Sequence, residues 1–201
     1  MRLDGRRESS NVEDRRGMSG GAKAGIGGIG GVILIALVTF LGGGDIGDVF
    51  NAVQQNAAQQ TATQGEYTPS AEEEELASFS KKILAGTEDV WTEIFKQSGR
   101  TYQPPKLVLF TNAVSSGCGN ATASVGPFYC SADQTVYIDL SFFTSMQKQL
   151  GGGGDFAYAY VIAHEVGHHV QYLLGTLDEA HSQMSRLSQK EANKISVRLE
   201  L

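Results

Sequence analysis

Tyr158-Ala-Tyr-Val-Ile-Ala-His-Glu-Val-Gly-His-His-Val-Gln171 is the stretch from which the rest of the chain is read. Side chains four apart on a helix share a face, so His164 and His168 aim their rings in one direction. Two imidazoles at that spacing suit a zinc ion. Glu165 is turned too far round to be a third ligand. Its carboxylate can still reach a water in the open position of such a metal, which is the geometry of a general base. Phe156, Ala159, Tyr160, Ala163, Val166, Gly167 and Val170 recur at three-four spacing, the pattern of a buried helix whose polar residues face a cleft. A helix with two hydrogen-bonded histidines and a surface glutamate is the competing reading.

Around this stretch lie 201 residues, 41% hydrophobic, with a formal net charge of -6, enough for one ordinary domain plus extensions. The acidic balance excludes general nucleic-acid binding, which needs a basic face. Charge is unevenly spread. Arg2, Arg6, Arg7, Arg15, Arg16 and Lys23 crowd the N-terminus, and the next basic residue is Lys81. Ala24 to Gly44 holds no charged residue and, as a helix, is about 30 Å long, the thickness of a bilayer core. These features predict a cytoplasmic N-terminus (1–23), an uncleaved single-pass transmembrane anchor (24–44) and everything beyond Asp45 on the outside of an inner or plasma membrane, periplasmic or extracellular. The Gly27-x-x-x-Gly31 spacing is of the kind that lets two such helices pack, a route to a homodimer through Gly27 and Gly31. The Gln-, Ala-, Asn- and Thr-rich run that follows, in 45–68, predicts a flexible linker.

The folded domain is expected over 69–201. Ser70 and Glu73 fit a capping box, followed by the apolar stripe Leu76, Phe79, Ile83, Leu84, Val90, Trp91, Ile94 and Phe95 up to Ser98-Gly99. Lys106 to Thr111 reads as a strand with buried faces. Thr135 to Leu140 reads as a second, paired with the first or in a hairpin with Phe128-Tyr129-Cys130. Cys118 and Cys130 are spaced unlike a zinc pair, and in a domain placed outside the cytoplasm they read as a disulfide worth about 3 kcal/mol. Phe142 to Leu150 is a short helix, Gly151 to Gly154 a joint, and Gly175 the stop of the His164 helix. A polar helical segment, Leu177 to Gln189, and a last helix marked by Ala192, Ile195 and Leu199 complete an α+β domain, mainly helical with a small sheet.

A catalytic zinc needs three protein ligands. His169 is rotated about 100° from His168 and cannot join the same ion. His181 and Glu200 both stay open on the residues alone. Leu107-Val-Leu-Phe110, Ser116-Gly-Cys-Gly119, Gly126-Pro-Phe-Tyr-Cys130, Val136-Tyr-Ile-Asp139, Ala159 to Gln171 and Ser196-Val-Arg-Leu-Glu-Leu201 together resemble the bacterial neutral zinc metallopeptidases, membrane-anchored proteins related to gluzincin-type peptidases. The resemblance runs nearly the whole length. It implies a zincin-like domain that hydrolyses peptide bonds of a peptide or protein substrate, with Zn2+ held by His164, His168 and Glu200 and with Glu165 as catalytic base. It also makes the Thr135–Leu140 strand an edge for an extended peptide. In the family the last block continues into Gln-Ala-Asp-Cys, whose aspartate orients a zinc-bound histidine. This chain stops one residue after Glu200, so a C-terminally truncated domain is expected. A non-catalytic, membrane-tethered binding module, a pseudopeptidase, is the alternative.

Overall fold

The structure is a computed structural model and describes residues 2–18, 67–122, 125–150 and 154–201. Met1–Arg15 and Ser70–Leu201 form one compact unit, which leaves out Arg16–Pro69. This unit is mixed α/β. Among the described residues it carries five helices, a four-stranded sheet and a two-stranded one.

The centre of the larger sheet is β2 (Lys106–Phe110) beside β6 (Thr135–Asp139), parallel and in register from Lys106 opposite Thr135 to Phe110 opposite Asp139. Both strands are buried along nearly their whole length, in keeping with the unbroken apolar runs Leu-Val-Leu-Phe and Val-Tyr-Ile. Alternation along the strands then builds two layers. Leu107, Leu109, Val136 and Ile138 face the helices, packing with Leu84, Phe143, Tyr158, Ile162 and Val166. Val108, Phe110 and Tyr137 face the other way, under the hairpin of β3 (Ala113–Ser116) and β4 (Gly119–Thr122), against Val114, Ala121 and Cys130.

The Thr135 strand meets both sequence expectations at once, since β6 also pairs antiparallel with β5 (Phe128–Cys130). It therefore has neighbours on both sides and cannot be the peptide-binding edge that the resemblance implied. The sheet edge on that side is β5, in the order β1 (Val12–Asp14), β2, β6, β5. Cys118, in the β3–β4 turn, and Cys130, at the end of β5, form a disulfide with Cα atoms 5.8 Å apart. At the end of β6 the fully buried Asp139 accepts the backbone N–H of Asn112 and of Ser141. It thereby starts α2 (Leu140–Leu150) directly from the strand, two residues earlier than the apolar pattern indicated.

The helical layer begins at α1 (Ala71–Gln97), whose capping box has both reciprocal bonds, Glu73 N–H to Ser70 Oγ and Ser70 N–H to Glu73 Oε2. Gly86 does not interrupt it, and Gly99 follows its end with φ of 70°. Gly175, with φ of 79°, occupies the left-handed position between α3 (Asp155–Leu173) and α4 (Thr176–Met184). Next, α5 (Gln189–Glu200) is capped at Ser188.

The N-terminus corrects the expected topology. Val12–Asp14 is a strand, β1, parallel to β2 with Val12 opposite Leu107. Just before it, Arg7, Ser9 and Asn11 all donate to Glu88, a glutamate of α1 that is only 7% exposed. A single membrane crossing at 24–44 would place β1 and β2 on opposite sides of a bilayer, where they cannot pair. Among the described residues no helix is long and apolar enough to cross a membrane. The expected single-pass location, with a cytoplasmic N-terminus and an outside peptidase domain, is therefore overturned. The stretch 24–44, with Gly27 and Gly31, lies outside the described residues, as do nearly all of the 45–68 linker and residues 151–153 of the glycine joint.

Candidate metal centre

Helix α3 presents two different faces. Tyr158, Ile162, Val166 and Val170 are buried against the sheet and α1, while Phe156 and Tyr160 stand 78% and 61% exposed. The apolar stripe read from the sequence thus mixed both faces. In a helix that is apolar almost all round, periodicity alone does not choose the side that packs. Phe156, Tyr160 and His164 run up the open face at four-residue steps, and the Tyr160 ring stacks beside His164 with centroids 6.1 Å apart.

At the end of that row the two motif histidines turn toward each other and toward α5. His164 Nε2 lies 3.2 Å from His168 Nε2. Glu200 Oε2 lies 3.0 Å from the first and 3.6 Å from the second. With metal–ligand bonds of the usual length, the donor atoms of a tetrahedral zinc stand about 3.4 Å apart. These three side chains have that spacing, and among the described residues they are the group of His, Cys, Asp or Glu able to hold one ion. The donor set, two imidazoles and a carboxylate, fits zinc. His181, the other ligand left open by the sequence, is an exposed residue of α4 and does not join them.

Glu165 sits beside this cluster, 8% exposed. Burial pushes its carboxyl above the usual range. Charge on His168 and His164 pulls it back, Glu200 raises it, and the backbone N–H of Tyr129 on β5 lowers it.

His169, the next residue after His168, is fully buried. Its Nε2 donates to the carbonyl of Gln103 at 2.7 Å, so Nδ1 is bare and accepts the Tyr129 hydroxyl at 2.9 Å. Burial lowers its pKa, and burial likewise holds the Tyr129 phenol protonated. His169 therefore ties α3 to β5 and to the segment before β2. One contact beside the cluster was missed in the sequence, a bridge made by Gln171. It leaves no local signal, because Gln171 reads as an ordinary helix residue.

The tyrosines of α3 are placed differently. Tyr158 donates to the carbonyl of Phe143 in the core, and Tyr172 accepts from Gln134. Tyr160 alone among them borders the cluster. A cavity of about 290 Å³ opens beside His164 and Glu165, walled by Val125, Pro127, Phe142, Tyr160 and Val161. A larger one, about 450 Å³, lies away from the histidines between Leu3, Phe79, Lys82 and Tyr158, so size alone does not mark the site.

The family model described as "Putative neutral zinc metallopeptidase" matches residues 1–201. The chain is 47% identical over 209 positions to the uncharacterized protein YpfJ of Escherichia coli K12, covering 100% of this chain and 71% of that one. Over 80 residues it is 52% identical to the uncharacterized protein Rv2575 of Mycobacterium tuberculosis H37Rv, 39% of this chain and 27% of that one. No solved structure matches. The chain belongs to the neutral zinc metallopeptidase family.

Proposed function

We propose that the chain is a zinc-dependent endopeptidase in which His164, His168 and Glu200 hold the metal and Glu165 is the general base. The observation that carries this reading is the convergence of three ligand atoms, from two helices, at zinc spacing beside a buried carboxylate. Zinc held there would acidify a bound water and polarise the scissile carbonyl. Glu165 takes the proton of the attacking water and delivers it to the departing amine.

The edge position of β5 supports an extended peptide lying along it, with main-chain pairing for grip. The cavity walled by Val125, Pro127, Phe142 and Val161 supports an apolar side chain next to the scissile bond. The test is to measure bound metal and cleavage of an unfolded protein substrate by the chain and by Glu165→Gln. Zinc bound by both, with cleavage by the parent alone, is the expected result; undiminished cleavage by Glu165→Gln would sink the mechanism. Zinc bound without any cleavage would leave a metal-binding module.

A further inference from the structure

We infer that Gln171 is a positioning residue that sets two of the three ligands at once, a reading that rests on the metal site proposed above. Gln171 lies three residues beyond His168 on α3, half-buried between that helix and the end of α5. Its Nε2 donates to the backbone carbonyl of Leu199 at 2.7 Å. Its Oε1 lies 2.9 Å from His168 Nδ1.

The direction of each bond follows from what each atom can do. A backbone carbonyl only accepts, so the amide NH2 of Gln171 must face Leu199. The amide oxygen then faces His168, and an oxygen only accepts, so the proton is on Nδ1. Nε2 of His168 is left bare, and it is the atom that points at His164 and Glu200. One side chain thus selects the ring tautomer that can bind a metal and fixes the ring's rotation. The other end of the same amide holds the last turn of α5. Glu200 is the residue next to Leu199, and its side chain is 56% exposed, with little packing of its own to hold it. Without the bridge, both a ligand ring and the carboxylate arm lose their fixed relation to His164.

Two substitutions separate the halves. Gln171→Met keeps the length and the apolar stem but makes neither bond. Gln171→Glu keeps an acceptor for His168 Nδ1–H and turns the other oxygen against the Leu199 carbonyl. The measurements are zinc affinity by competition with a chelator and, on the metal-free chain, the ring-nitrogen NMR shifts of His168 and amide exchange at the end of α5. Gln171→Met is expected to bind zinc about 10–100-fold more weakly. It should also show a mixed His168 tautomer and faster exchange near Leu199. Gln171→Glu is expected to keep the Nδ1–H tautomer while exchange still accelerates. Parent-like zinc affinity in Gln171→Met, or an unchanged His168 tautomer, overturns the inference. A parent chain that holds no zinc overturns the metal reading itself, and is told apart because it shows before any substitution is made.

Discussion

Glu88 and Glu165 are buried to nearly the same degree, 7% and 8% exposed, and both lie mid-helix facing β-structure or the segment leading to it. Their surroundings differ in kind. Glu88 is saturated by Arg7 Nη1, Ser9 Oγ and Asn11 Nδ2 at 2.9, 2.5 and 2.8 Å. Glu165 lies beside His168, His164 and Glu200, and burial drives its pKa up. Burial alone therefore does not set a carboxylate's charge state; whether fixed donors satisfy the charged form decides it.

The same substitution at both sites is the sharpest way to break this contrast. Glu165→Gln should lower peptide hydrolysis by about 10²–10⁴-fold, the usual share of a general base, in a steady-state assay with zinc present. Glu88→Gln should leave the metal site able to bind zinc. It should cost about 2 kcal/mol in urea unfolding, because the new NH2 faces donors it cannot satisfy. Limited proteolysis should then cut the released segment before β1. A Glu88→Gln chain of full stability would mean that the N-terminal segment is not anchored there.

In the metal-free chain the effect of Glu165→Gln on stability should have the opposite sign, a gain at neutral pH. The raised native pKa means that the stability this carboxyl contributes is fully present below its unfolded value, about 4, and is lost as pH rises through the native value. The gap between parent and Glu165→Gln in thermal melts should accordingly close on acidification. The smallest effect is expected at His169. Its native pKa is depressed, so the unfolded chain binds a proton first as pH falls below about 6.5. Stability should decline from there downward, and His169→Gln should flatten that limb of the curve. A curve unchanged by the substitution would assign the acid sensitivity elsewhere.

Several features were legible because they are local. Ser70 with Glu73, Gly99 and Gly175 bound their helices through bonds that reach three or four residues. The strands Lys106–Phe110 and Thr135–Asp139 are visible as β-branched and apolar runs. The Cys118–Cys130 pairing was reached partly through an outside location that the structure does not support. Their 5.8 Å Cα separation comes from the β3–β4 turn folding over β5, a relation of strands rather than of compartments. The Arg-rich N-terminus misled for a related reason. Next to an uncharged stretch it reads as a topogenic signal. Yet Arg7 is spent on Glu88 and Asp89, and Val12–Asp14 on β2, contacts formed across a long separation in sequence.

The pentapeptide His164-Glu-Val-Gly-His168 by itself determined two ligand directions and a carboxylate beside them, since helical geometry fixes how residues one and four apart are turned. It could not determine which side of α3 is open, or that Glu200 rather than His181 comes within 3.0 Å. Nor could it show that Gln171 spans to Leu199, 28 residues on. Those choices belong to the packing of α3 against the sheet and of α5 across its end. There, burial of apolar area selects one face among several that the local pattern allows, and hydrogen bonding then settles which polar groups meet.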